Sequence, residues 1–143
     1  MDFLVVGCGS IGQRHIKNLQ SLGCNVFGCD TDIGRLDEVG NRYGITVFSG
    51  LEKALRRKYD AVFICSPSRF HISQAIKVAR KKTHLFIEKP LSDDLRGIKE
   101  LNSIVKRNKV VVLVACNTRF FPSFQLTKKL IGKPMAICLD QVC

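Results

Sequence analysis

The stretch Phe3-Leu4-Val5-Val6-Gly7-Cys8-Gly9-Ser10-Ile11-Gly12 decides the fold of this chain. Four apolar residues make a short run of the kind that is buried inside a sheet. Three glycines follow in the spacing G-x-G-x-x-G. Ile11, His15, Ile16, Leu19 and Leu22 then recur at helical spacing until Gly23 stops them. Strand, glycine turn and helix in that order are the context that makes this motif informative. Each glycine has its own task. Gly7 permits the tight turn out of the strand, Gly9 lets a pyrophosphate approach the backbone, and Gly12 lets the helix pack on the sheet. The helix start, with Ser10 and Ile11 in its first turn, offers unpaired N–H groups and the positive end of a dipole. Gly7, Gly9, Ser10, Ile11 and Gly12 are therefore candidate dinucleotide-binding positions.

Asp30 stands at the end of the next apolar run, about 18 residues beyond Gly12. An acid at that place accepts hydrogen bonds from the ribose of an adenosine and repels a 2′-phosphate. That favours NAD and leaves NADP possible, because the nearby Arg35 can pair with such a phosphate.

The same rhythm continues outward. Strands are predicted over Asn25–Cys29, Ile45–Phe48, Ala61–Cys65, His84–Ile87 and Val110–Ala115. Helices are predicted over Ile33–Tyr43, Leu51 to about Lys58, and Ile72–Arg80. Another is opened by Asp93-Asp94 and runs to about Arg107, and a last one is opened by Pro122. Alternation of this kind implies an α/β fold, a doubly wound and mainly parallel sheet with helices on both faces. Gly132-Lys133-Pro134 reads as a turn and Met135–Cys143 as a further strand. Residues 1–120 form the dinucleotide-binding domain on this reading. Residues 121–143 are a connecting helix and the truncated start of a second, α+β domain.

Composition narrows the class. The chain has 143 residues, 45% of them hydrophobic and 24% charged, which suits one soluble domain with a real core. No apolar run approaches the ~20 residues that span a bilayer, and the N-terminus has no basic region ahead of its apolar run. A cytoplasmic protein that meets no membrane is expected. The seven cysteines include no C-x-x-C pair, so they read as small buried hydrophobes and not as a metal site. The net charge of +11 raises the question of nucleic acid. Yet the basic clusters, such as Arg80-Lys81-Lys82 and Lys106-Arg107, fall near predicted helix C-termini, where cations complement the dipole. No nucleic-acid partner is expected.

Three later motifs follow the fourth, fifth and sixth strands: Cys65-Ser66-Pro67 with Ser68-Arg69-Phe70-His71, then Glu88-Lys89-Pro90, then Asn117-Thr118-Arg119-Phe120. Together with the glycine loop, this ordered set resembles the Gfo/Idh/MocA family of dehydrogenases, over nearly the whole chain. The resemblance implies the following roles. Ser66 and Pro67 line the path of the nicotinamide half, and His71 sits near the ribose or at the helix start. Glu88 contacts the cofactor ribose, and Asn117 lies near the nicotinamide. Lys89 faces the substrate as the catalytic residue, a hydrogen-bond donor and part of the proton-transfer system. The Lys89–Pro90 bond resembles one that is often cis in the family. The substrate implied is a small sugar-like alcohol, and the full-length protein is a homo-oligomer. The family's aspartate and histidine from the second domain have no counterpart here, and His15 and His84 read as structural. The fragment is therefore expected to be inactive alone. A non-catalytic NAD-sensing module remains the alternative.

Overall fold

Apolar strands with no polar face must be covered on both sides, and the chain does this by winding helices over each face of one sheet. The computed structural model describes residues 1–131. The elements in order are β1 (Asp2–Val6), α1 (Ser10–Ser21), β2 (Asn25–Cys29), α2 (Ile33–Tyr43), β3 (Thr46–Phe48), α3 (Leu51–Ala54) and β4 (Ala61–Ile64). There follow α4 (His71–Arg80), β5 (His84–Ile87), α5 (Ile98–Asn108), β6 (Val112–Val114) and α6 (Pro122–Ile131). The sheet order is β3-β2-β1-β4-β5-β6, and every pairing is parallel. This is the Rossmann order, with its topological switch between β1 and β4.

Side-chain alternation along the strands divides the core in two. Leu4, Val6, Val62, Ile64, Leu85 and Ile87 face α4 and α5, whose Ile72, Ala75, Val78, Leu101 and Ile104 pack against them. Val5 and Val26 face α1 and α2 on the other side, with Ile16, Leu19, Leu36 and Val39. Cys8 and Cys29 fill gaps in these clusters. Burial pushes the Cys8 thiol up to about 11 and the Cys29 thiol up to about 12, so both stay protonated at neutral pH. No group of three or more His, Cys, Asp or Glu side chains is placed to hold a metal among the described residues.

Several boundaries differ from the sequence reading, each for a local reason. The third helix ends at Ala54 and not near Lys58: turn bonds close it, from Arg56 N–H to Lys53 O at 3.2 Å and from Arg57 N–H to Ala54 O at 3.1 Å, and Ala54 O also accepts the Tyr59 hydroxyl at 3.1 Å. Asp93 and Asp94 do not open α5. The Asp94 carboxylate accepts the Arg96 backbone N–H at 2.7 Å and pairs with the Arg96 guanidinium, and the helix starts after Gly97 at φ 77°. A 3₁₀ turn, Ser68–Phe70, precedes α4, which begins one residue early at His71. The strand expected over Val110–Ala115 is only Val112–Val114. Of the basic clusters, Arg80 lies in the last turn of α4, and Lys106 and Arg107 in that of α5. Arg57 instead pairs with Asp2 at 2.6 Å and lies over the Phe27 ring. No helix among the described residues is long and apolar enough to cross a membrane. The expected turn at 132–134 and strand at 135–143 lie outside the described residues.

The tightest contact in the sheet-helix packing is at Gly12. A Cβ there would lie 1.9 Å from the Gly7 carbonyl oxygen. Gly12→Ala is therefore expected to cost about 3 kcal/mol or more and to lower the melting temperature by about 10 °C. A thermal melt within about 2 °C of the parent protein would show that the helix does not approach so closely.

Candidate functional site

Parallel pairing in one register brings the C-terminal ends of the strands level, and a row of backbone hydrogen bonds continues past them. Gly7 N–H donates to Cys29 O at 2.8 Å, Cys65 N–H to Val6 O at 2.7 Å, Glu88 N–H to Ile64 O at 2.9 Å and Ala115 N–H to Ile87 O at 2.9 Å. Four motifs far apart in sequence thereby share one rim.

Glycine is required at Gly7 by backbone and space. Its φ is 91°, and a Cβ would lie 2.6 Å from Ser66 N. Gly9 is different, because a Cβ would meet nothing within 4 Å. Its missing side chain leaves open space at the mouth of a cleft. Helix α1 begins there with no side-chain cap and no acidic residue in its first turn. In α2, by contrast, Asp32 accepts the Arg35 N–H at 3.0 Å. The start of α1 is thus left to satisfy an outside anion. Ser10 and Ile11 stand in that first turn.

Asp30 is held by a full set of donors. Its Oδ1 accepts the N–H of Thr31 at 2.7 Å and of Asp32 at 3.1 Å. Its Oδ2 accepts the N–H of Cys8 at 2.8 Å and the Arg35 guanidinium at 3.3 Å. Burial pushes this carboxyl up, but the backbone donors and Arg35 outweigh it and hold it below its ordinary value. A carboxylate has about four acceptor sites, so a ribose hydroxyl would have to take the place of Arg35, the one mobile donor.

The later loops converge on the same rim. The Ser66 hydroxyl donates to Gln74 Oε1 at 2.6 Å. His71 is 1% exposed and is buried beneath the loops, with Nε2 2.7 Å from Ser66 O and Nδ1 3.0 Å from Pro90 O. Its ring therefore stands between the loop after β4 and the loop after β5, with a backbone carbonyl facing each ring nitrogen. The Lys89–Pro90 bond is cis. His84 opens β5, and its Nδ1 accepts the Val111 N–H at 3.1 Å.

Two clefts lie along this rim. One, of about 690 Å³, is lined by Gly7, Gly9, Asp30, Arg35, Ser66 and Pro67 among others. The second, of about 250 Å³, is lined by Ile11, Ser66, His71, Glu88, Lys89 and Asn117 among others. They meet at Cys65 and Ser66. Of the expected residues, Gly7, Gly9, Asp30 and Pro67 line the first cleft, Ile11, His71, Glu88, Lys89 and Asn117 line the second and Ser66 lines both, whereas Ser10 and Gly12 line neither.

A family model described as an oxidoreductase family with an NAD-binding Rossmann fold matches residues 1–116. The chain belongs to the Gfo/Idh/MocA family. Residues 1–116 are the NAD-binding Rossmann domain of that family. The chain is similar to the myo-inositol 2-dehydrogenase of Thermotoga maritima, at 30% identity over 91% of this chain and 42% of that protein. It is 33% identical to the NAD⁺-dependent scyllo-inositol 2-dehydrogenase of Bacillus subtilis, over 92% of this chain and 41% of that protein. Among solved structures, the WlbA dehydrogenase from Bordetella pertussis, in complex with NADH and UDP-GlcNAcA, superposes with a TM-score of 0.86. The identity is 30%, over 92% of this chain and 39% of that one. The chain spans about two fifths of the length of these relatives.

Sequence reasoning passed over some residues of the rim. Arg14 lines the smaller cleft, and Gln74 and Phe70 line the larger. Arg14 lies three positions after Ile11, so helical spacing alone puts them on one face. The His15 ring also reaches this rim, at Glu88. Nothing in the sequence signals that contact across 73 positions.

Two predictions follow from this geometry. Gly9→Val is expected to melt like the parent protein while losing NADH binding at least about tenfold, since the space that it fills is the cradle. Equal NADH affinity in a fluorescence titration would place the pyrophosphate elsewhere. The lowered Asp30 value makes a stability contribution that is present above the ordinary carboxylate range and is lost as pH falls through the folded value. Asp30→Asn should therefore narrow the stability difference between neutral and acid pH. An unchanged acid-unfolding midpoint would contradict this.

Proposed function

We propose that this chain is the cofactor-holding part of a dehydrogenase that moves a hydride between NAD and a secondary alcohol carbon of a sugar, nucleotide sugar or cyclitol. The observation that carries the reading is the pair of clefts meeting at Ser66. An extended dinucleotide laid across them has its adenosine ribose at Asp30, its pyrophosphate at Gly9 and the start of α1, and its nicotinamide end toward Glu88 and Asn117. The cofactor supplies the hydride chemistry, and the protein orients it and shapes the local charge. Lys89 stands at the nicotinamide end, where an ammonium donates to a substrate hydroxyl and stabilises developing alkoxide charge. The inositol dehydrogenases among the relatives, and the UDP-GlcNAcA bound to WlbA, support a polyhydroxylated substrate.

Residues 1–120 are the cofactor domain on this reading, and 121 onward begin a second domain. The sheet itself supports that division. Val111 and Leu113 are exposed on the face that α1 and α2 cover over β1, β2 and β3, so a further element is needed to bury them. The chain alone binds cofactor without turnover, in the cytoplasm. The whole protein is a homo-oligomer and has no role for nucleic acid.

Calorimetric titration with NADH and with NADPH tests the reading. Saturable binding with NADH the tighter is expected, and Gly9→Trp should abolish it. Tighter NADPH would shift the assignment to Arg35 and a 2′-phosphate. Binding of neither would remove the cofactor reading. For Lys89, the expected split in the full-length enzyme is an unchanged NADH affinity in Lys89→Met with kcat reduced at least about a hundredfold. An undiminished kcat would take Lys89 out of the chemistry.

A further inference from the structure

Phe63 and Phe86 stack at 4.7 Å on one face of the sheet. The imidazole of His15 sits on both rings, with centroids 5.4 and 5.2 Å away. From that platform its Nε2 lies 2.7 Å from Glu88 Oε1. The other carboxylate oxygen, Oε2, accepts the Lys89 backbone N–H at 3.2 Å. One carboxylate therefore joins the first turns of α1 to the turn that carries Lys89. The two side chains are 16% and 15% exposed, so water competes little for the bond. An ionised carboxylate only accepts, so Nε2 carries the proton in this contact. Ile16 and Leu19 already bury α1 against the sheet, so packing of the helix does not call for the His15–Glu88 bond.

On the cofactor reading given above, we propose that His15 is a positioning residue of the hydride-transfer site. It holds the Glu88 carboxylate, and with it the Lys89 turn, in register with the helix start that receives the pyrophosphate. Both carboxylate oxygens keep a lone pair for a ligand hydroxyl. Without the imidazole, Glu88 is free to rotate, and the wall of the smaller cleft loses its fixed shape.

The test compares His15→Gln with His15→Asn and His15→Ala, alongside Glu88→Ala. The glutamine amide nitrogen reaches as far as the imidazole Nε2, whereas that of asparagine stops near Nδ1. The first readout is the ¹⁵N-edited NMR signal of the His15 Nε2–H without cofactor. A slowly exchanging resonance is expected in the parent protein and is expected to vanish in Glu88→Ala. The second readout is NADH affinity by fluorescence titration. It should fall about tenfold in His15→Ala and His15→Asn, and stay within about twofold in His15→Gln. The double variant His15→Ala/Glu88→Ala should bind no more weakly than Glu88→Ala alone. The proposal is overturned by a resonance indifferent to Glu88→Ala, by asparagine matching glutamine, or by additive losses in the double variant. Should His15→Ala fail to fold, the comparison of glutamine with asparagine carries the same decision. A parent protein that binds no NADH sinks the cofactor reading, and the NMR signal then decides the His15–Glu88 coupling by itself.

Discussion

The site depends on one close approach, between the start of α1 and the turn leaving β1. With no side chain at Gly12, the helix backbone can lie against the Gly7 carbonyl. That contact aims the helix start at the rim and leaves its first N–H groups without partners. Gly7 is pressed in turn against the backbone of Cys65 and Ser66. The loop after β4 is thereby fixed relative to the glycine loop, and the two clefts meet where these loops touch. Any side chain at either position would push apart the walls that a dinucleotide must span.

Polar side chains around this contact act mostly as ties between loops. His71 fills the gap between the carbonyls of Ser66 and Pro90. Asp30 gathers three backbone N–H groups and Arg35. Glu88 links His15 to the Lys89 amide. Such ties hold binding groups in a fixed geometry before a ligand arrives, which lowers the ordering cost of binding. They also explain why the surface around Lys89 is built from residues of several strands, since a single loop has too few rigid partners of its own.

Much of this was legible in the residues. The strands near Val5, Phe27 and Phe63 are short apolar runs between turn signals, and helices such as Ile33–Tyr43 show both their periodicity and their glycine stop. Boundaries failed where a turn competed with the helix. Asp94 looked like a helix start but closes a local turn with Arg96, and α3 gives way to turn bonds from Arg56 and Arg57. A carboxylate such as that of Asp94 can cap a helix or satisfy a turn, and sequence position does not distinguish the two uses.

The parallel α/β fold, the glycine loop and its acidic partner Asp30 follow from local periodicity and fixed spacing, so the residues alone specify them. The sequence also marked Ser66, His71, Glu88, Lys89 and Asn117 through an ordered set of motifs. Only the tertiary structure decided what those side chains touch. Whether Asp30 has a free acceptor, whether His71 faces a ligand or two carbonyls, and whether His15 reaches Glu88 all depend on strand register and helix rotation. Those quantities are set by packing across the whole sheet, and a one-dimensional pattern carries no distance between residues 15 and 88.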